Sequence, residues 1–274
     1  MNLLRNDYMN IKKKILYFFN NIFLNKFNYN LFPNVNHSRV KNLINSIKVY
    51  NLGYELIRLG PEGDGGYLIP NVLSEIDTCF SPGIGKINGF ENDIMKRNIK
   101  VFMADKTVEK PILLNDNYEF LKKNLGSYVD QETITLDEWI NDTKINKGIL
   151  VQMDIEGSEY EVINNLTEDN LKKIKVMIVE FHHFEQVITK IGYKVIENVL
   201  KKILKYFDVA HIHPNNCCGI LKMNKTIIPS TLEITFLNKK LTLKKEKINN
   251  LPHKLDFKNI KGVDDIFLDK SWYS

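Results

Sequence analysis

Cysteine is scarce in this chain: three in 274 residues, at positions 79, 217 and 218. No disulfide framework can be built from them and none has zinc-ligand spacing, which excludes a disulfide-stapled fold and a structural zinc module. Cys79 stands in an apolar run and reads as a small core residue. Cys217 and Cys218 are adjacent, where no ordinary disulfide is expected. The pattern points to a reducing, cytoplasmic setting. Long hydrophobic runs are also missing. The stretch Ile15-Leu-Tyr-Phe-Phe-Asn-Asn-Ile-Phe-Leu24 follows Lys12-Lys13-Lys14, but Asn20-Asn21 interrupts it and no small-residue cleavage site follows. It is too short to span a bilayer. It is expected to be a helix packed on the domain, on a second subunit in a homo-oligomer, or on the surface of the inner membrane. Excess charge is small as well, at +5. The basic runs carry no interleaved aromatic residues, so no nucleic-acid partner is expected.

What the chain does contain is an alternation of apolar strands and helical segments, enough for one large α/β domain with extensions. Residues 1–50 read as a helical extension with a break near Phe32-Pro33-Asn34, residues 51–238 as the main domain, and 239–274 as an irregular tail. Strands are expected at Asp77–Ser81, Lys100–Ala104, Thr133–Leu136, Gly148–Met153, Lys175–Phe181, Asp208–Ile212 and Leu232–Leu237. Helices are expected near Phe90–Arg97, Tyr118–Leu125, Asp137–Ile140, Ser158–Asn165 and Glu185–Lys205, the last with Val187, Ile188, Ile191, Val195, Val199 and Ile203 on its apolar face. The strands are apolar almost throughout, as in a sheet covered on both faces. The last two, with no helix between them, should meet antiparallel. Pro252, Trp272 and Tyr273 look like weak anchors for the tail. Every cofactor motif lies beyond residue 45, so deletion of the first 45 residues is expected to spare cofactor binding.

Two segments carry the chemistry. Asp77-Thr-Cys-Phe-Ser-Pro-Gly-Ile-Gly85 is a strand running into a glycine turn, and Gly148-Ile-Leu-Val-Gln-Met-Asp-Ile-Glu-Gly157 is a strand running into carboxylates. Parallel strands present their C-terminal ends on one edge, so both turns should face one crevice with Asp105, which ends the strand between them. Glycines 83 and 85 would let the backbone approach a nucleoside cofactor, and Asp105 could accept both ribose hydroxyls. The spacing Gly83-x-Gly85-x-x-x-Gly89 departs from a dinucleotide fingerprint and counts against NAD. The loop Arg58-Leu-Gly-Pro-Glu-Gly-Asp-Gly-Gly-Tyr67 could fold over the cofactor, with Asp64 or Arg58 meeting its amino or carboxylate group, or could be a structural turn. Ser158 has a plain reading as a helix cap and Glu159 as a first-turn dipole partner. Asp154, Glu180, His182 and His213 are candidates for a general base, with His182 leading because a histidine titrates near neutrality. If a metal is used, Asp154, Glu180 and His213 would hold Mg or Mn.

These motifs resemble a class I S-adenosylmethionine-dependent methyltransferase and, more narrowly, the FkbM family. The resemblance rests on Arg58–Tyr67, Ser81-Pro-Gly-Ile-Gly85 with Phe90-Glu91, Thr135-Leu-Asp-Glu-Trp139, Met153-Asp-Ile-Glu-Gly-Ser-Glu-Tyr160 and Val179-Glu-Phe-His182, and covers roughly residues 54–237. It implies a doubly wound, seven-stranded, mostly parallel sheet ending in an antiparallel pair. It implies S-adenosyl-L-methionine held by Asp64, Tyr67, Ser81, Gly83, Gly85, Glu91, Asp105 and Asp154. It further implies O-methylation of a small molecule, such as a sugar or sugar-nucleotide of a bacterial capsule or other surface polysaccharide. A methyltransferase for a phosphate-derived metabolite and a non-catalytic nucleotide-binding scaffold are the rival readings.

Overall fold

The structure, a computed structural model, describes residues 2–27, 31 and 33–274. Phe32, part of the expected helix break, lies outside them. The chain begins with α1 (Asn2–Phe19), which runs on through a π-helical turn at Asn20–Leu24 and a 3-10 turn at Asn25–Phe27. In α2 (His37–Ser46) Asn36 caps the first turn by accepting from Ser38 N, and Val40, Leu43 and Ile44 are buried one helical turn apart. Next come β1 (Tyr50–Asn51) and the antiparallel hairpin β2 (Leu56–Leu59) and β3 (Tyr67–Pro70).

The central sheet is built from β4 (Thr78–Pro82), β5 (Lys100–Ala104), β6 (Tyr118–Leu121), β9 (Ile149–Met153), β10 (Ile174–Phe181), β11 (Phe207–Met223) and β12 (Thr226–Asn238). Their order is β6–β5–β4–β9–β10–β12–β11. All neighbours are parallel except β12, which runs antiparallel to both β10 and β11. The expected seven-stranded, mostly parallel sheet with a final antiparallel pair is therefore present.

Alternate residues of each strand feed two cores. Phe80, Val151, Met177 and Val179 pack with α2, α4 (Leu136–Asn141), α5 (Glu159–Asn165), α6 (Glu168–Lys173) and α7 (Lys190–Tyr206). Cys79, Val101, Leu150 and Ile178 pack with α3 (Gly89–Met95) and the β2–β3 hairpin. Burial on both faces explains why these strands lack polar alternation.

Several expectations are corrected. Tyr118–Leu121 is the edge strand β6 and not a helix; its register is set by pairing with β5. Thr133–Thr135 (β8) is outside the main sheet and pairs with β7 (Asn124–Gly126). The segment expected as one helix from Glu185 is a 3-10 turn at Phe184–Ile188, then α7, because Thr189 starts a new helix by accepting from Gly192 N. Its buried face is Tyr193, Ile196, Val199, Leu200 and Ile203, whereas Ile191 and Val195 are exposed. Cys217 and Cys218 are joined as a vicinal disulfide, where β11 shifts register between Asn215 and Ile220 and Gly219 takes a positive φ. The tail is also better anchored than its sequence suggests. Trp272 is fully buried against Phe184 and donates from its indole to Ile227 O, and β13 (Glu246–Lys247) pairs with β1.

Candidate functional site

The sheet order reverses direction between β4 and β9, and a cleft of about 730 Å³ opens outside the carboxyl ends of these strands. Ligands bind α/β sheets at such switch points. Gly83 and Gly85 form its floor with φ of +78° and +53°. They serve different ends. A Cβ on residue 83 would overlap the backbone carbonyl of Asp154, so Gly83 lets the β4 and β9 turns touch. The space beside residue 83 is therefore filled by the protein's own backbone. A Cβ on residue 85 would meet nothing within 4 Å, and it is this position that faces the open cleft.

Asp105 lines the cleft and is already engaged. Its Oδ2 accepts from Gly85 N at 3.0 Å, and its Oδ1 accepts from Thr107 N and Oγ1 at 2.7 and 2.6 Å. A carboxylate offers about four lone-pair sites, so one stays open. Two ribose hydroxyls would need the Thr107 hydroxyl to turn away. In the loop over the cleft, Asp64 lines the opening and accepts from Asn259 Nδ2 at 3.3 Å. Arg58 does not face a ligand: its guanidinium donates to Pro61 O, Gly63 O and Leu255 O and lies over the Phe257 ring.

A polar belt runs under this loop along the C-terminal edge of the sheet, drawing Ser81, Gln152, Glu180, Glu233 and His213 from five strands, all buried. Ser81 Oγ lies 2.6 Å from Glu91 Oε1 and 2.7 Å from Gln152 Oε1, and Gln152 Nε2 donates to the buried Tyr67 hydroxyl at 3.1 Å. Ser81 itself is fully buried, while Glu91, Gln152 and Tyr67 reach the cleft. Burial pushes Glu91 up to about 7 against the pull of Ser81. Its Oε2 has no hydrogen-bond partner among the described residues. Desolvation, with Glu180, Asp154 and Glu233 nearby, raises the Tyr67 phenol well above its usual range.

Asp154 follows β9 on the cleft wall. The turn after it places Glu156 and Gly157 at positive φ, so that Glu159 Oε1 reaches back to accept from Ile155 N and Gly157 N at 3.0 and 3.1 Å. Glu159 is fully buried and is more than a dipole partner: Oε1 also pairs with His182 Nδ1 at 3.1 Å. Ser158 makes no capping hydrogen bond through its side chain. His182 Nε2 then faces Asp154 Oδ1 at 3.8 Å and Glu156 Oε2 at 3.5 Å. Burial opposes charge on His182, but the Glu159 hydrogen bond and the charges of Glu159, Glu180 and Asp154 outweigh it and lift the imidazole to about 9. Burial raises Asp154 to about 7, although the His182 charge pulls it down.

Asp154, Glu180 and His182 offer ligand-type atoms within 4.8 Å of one another. His213 is not in that set. It turns to the tail, with Nε2 at 3.2 Å from Asn259 Oδ1 and Nδ1 at 3.8 Å from Asp256. The sequence reading missed Glu233, which stands opposite Glu180 in the ladder, is held by Asn259 Nδ2 at 2.8 Å and is pushed by burial up to about 8. Its one signal is the alternation in Leu232–Phe236, which looks like a solvated face but lies beneath the β2–β3 hairpin, where Thr235 Oγ1 donates to Leu68 O.

Comparison with known proteins finds a match over the middle of the chain. Among solved structures, similarity extends to the N-methyltransferase NodS from Bradyrhizobium japonicum WM9, at 10% identity over 61% of this chain and 89% of that one, with a TM-score of 0.32. It extends also to the 23S rRNA methyltransferase ErmE, at 5% identity over 77% and 72% of the two chains, with a TM-score of 0.32. A search of curated proteins finds no match. Residues 81–211 match the family model described as Methyltransferase FkbM domain. That segment contains the glycine turn, Asp105, Asp154 and His182, and over it the chain is similar to the methyltransferases of the FkbM family.

Proposed function

We propose that this protein transfers the methyl group of S-adenosylmethionine to a hydroxyl oxygen of a sugar or sugar-nucleotide, in the assembly of a bacterial surface polysaccharide. The family implies the cofactor, and the cleft fits it. Gly85 leaves its floor open, Asp105 keeps a free lone pair for a ribose hydroxyl, and the unpartnered Glu91 Oε2 beside Gln152 suits the amino group of the methionine end. When bound, S-adenosylmethionine supplies an already activated methyl group.

The observation that carries the oxygen-acceptor reading is Asp154, a half-buried carboxylate on the cleft wall whose Oδ1 has no hydrogen-bond partner among the described residues. An alcohol must lose its proton as the methyl arrives. A carboxylate held near 7 takes that proton at neutral pH, whereas an imidazole held near 9 by Glu159 already carries its own. The base role thus moves from His182, the leading candidate in the sequence, to Asp154. His182 orients Asp154 and holds its affinity for protons in the working range. An ionised Asp154 on this wall disfavours a phosphate oxygen as the acceptor.

The test is incubation with methyl-labelled S-adenosylmethionine and a panel of nucleotide sugars. Label on a sugar hydroxyl supports the reading. Label only on amines or phosphates, or hydroxyl methylation undiminished in Asp154→Asn, overturns it.

A further inference from the structure

The amino-terminal helix shows its apolar stripe to the outside. At 100° per residue, Ile11, Ile15, Phe18 and Ile22 fall within one narrow arc, and all four are 41–63% exposed. The opposite side of the same helix, Leu16, Asn20 and Leu24, is partly or fully buried. There the Asn20 side-chain amide donates to Leu31 O at 2.9 Å and accepts from Leu31 N at 2.8 Å. A helix packed on its own domain would do the reverse and bury its apolar stripe. Phe19, Phe23 and Phe27 extend the exposed apolar surface, and Phe19 stacks on Phe23.

Charge identifies the occupant. Residues 1–31 contain Arg5, Lys12, Lys13, Lys14 and Lys26 against the single acid Asp7. They hold a net +4 of the +5 of the whole chain. Lys12 and Lys14 lie on either side of the apolar arc, at about 100° and 300° when Ile11 is at zero. Basic residues flanking an apolar stripe match the boundary between anionic headgroups and acyl chains. A nucleic acid would use the lysines and leave the stripe bare. No described helix is long and apolar enough to cross a membrane.

We infer that the helix at residues 11–27 docks this protein on an anionic lipid surface, its Ile11–Ile15–Phe18–Ile22 stripe entering the acyl boundary and its lysines meeting the headgroups. The interaction is peripheral and salt-sensitive, because part of it is charge attraction.

Flotation of the full-length protein with vesicles tests this. The probes are phosphatidylcholine vesicles with and without about one third phosphatidylglycerol, a content chosen to set a clearly negative surface potential. Wild type should float with the anionic vesicles at least tenfold more than with neutral ones and should be released by high salt. Ile15→Asp with Phe18→Asp should abolish flotation, and Lys12→Glu with Lys14→Glu should reduce it about tenfold, a change of about 1.4 kcal/mol. All variants should keep the wild-type far-ultraviolet dichroism and affinity for S-adenosylhomocysteine. Absence of flotation, or flotation unchanged in Ile15→Asp/Phe18→Asp, overturns the inference. So does a wild-type dimer that this double variant splits, since a second copy then covers the stripe. Retention of wild type on single-stranded RNA but not on vesicles overturns it too.

Discussion

Ser81 Oγ and Glu91 Oε1 lie 2.6 Å apart, and the same hydroxyl lies 2.7 Å from the Gln152 carbonyl oxygen. One hydroxyl has one proton. Both contacts are satisfied when Glu91 is protonated and donates to Ser81, which donates to Gln152. Burial, which pushes Glu91 up to about 7, provides that proton.

The first prediction concerns stability. The folded-state affinity of Glu91 for its proton, about 7, exceeds the ordinary 4.5, so the native state binds more protons between those values. Its contribution is therefore fully present below about pH 4.5 and is lost as pH rises to 7, on the order of 3 kcal/mol. Glu91→Gln cannot titrate. The melting-temperature advantage of wild type over Glu91→Gln should shrink between pH 4.5 and 7. A constant difference would show that Glu91 is ionised in the fold.

The two floor glycines should separate folding from binding. Gly83→Ala drives a methyl group into the Asp154 carbonyl at a positive φ, so it should lower the melting temperature sharply or prevent folding. Gly85→Ala meets no atom and should cost only the left-handed backbone penalty, about 1–2 kcal/mol. Gly85→Val should fold and bind S-adenosylhomocysteine at least tenfold more weakly, a loss of about 1.4 kcal/mol, read by calorimetry. Equal affinity for Gly85→Val and wild type would move the cofactor off this floor.

Truncation has a boundary that the structure sets later than the exposed helix and earlier than residue 45. Removing residues 1–31 deletes the amino-terminal helix with its exposed apolar stripe and should leave fold and cofactor affinity intact. Removing residues 1–46 also takes Val40, Leu43 and Ile44 out of the main core. Each lost aliphatic side chain is worth about 2–5 kcal/mol, so this protein should fail to fold. A stable 47–274 fragment by thermal melt would contradict the packing of α2.

The acceptor proton predicts a shift of known sign. With Asp154 as base, kcat/KM should fall below about pH 7, following its ionisation. The charge of His182 lowers that value. His182→Gln removes the charge, raises the proton affinity of Asp154 and should move the acid limb to higher pH. Asp154→Asn should reduce kcat about 100-fold or more with cofactor affinity unchanged. An acid limb that vanishes in His182→Gln would return the base role to His182.

The fold was legible where burial is two-sided, because strands such as Ile149–Met153 are apolar throughout and end at glycine or carboxylate. It was not legible at the edge. Tyr118–Leu121 is only half-buried and carries Glu119, so its pattern does not distinguish strand from helix. The glycine turn and Asp105 on the cleft lie in contiguous motifs and could be read directly. The cluster around Asp154 could not. Glu159 meets His182 across a turn that depends on positive φ at Glu156, and Asn259 bridges Asp64, Glu233 and His213 from 26 or more positions away. The tail is fixed by side chain to backbone bonds, such as Asn216 to Ile260 and Val263, that leave no periodic trace.

Calorimetric titration of the full-length protein with S-adenosylhomocysteine, and in parallel with NAD, tests the central claim most directly. Saturable one-to-one binding of S-adenosylhomocysteine, none of NAD, and a loss of about 1.5–3 kcal/mol in Asp105→Ala are expected. No heat with S-adenosylhomocysteine, or NAD bound in its place, would contradict the account.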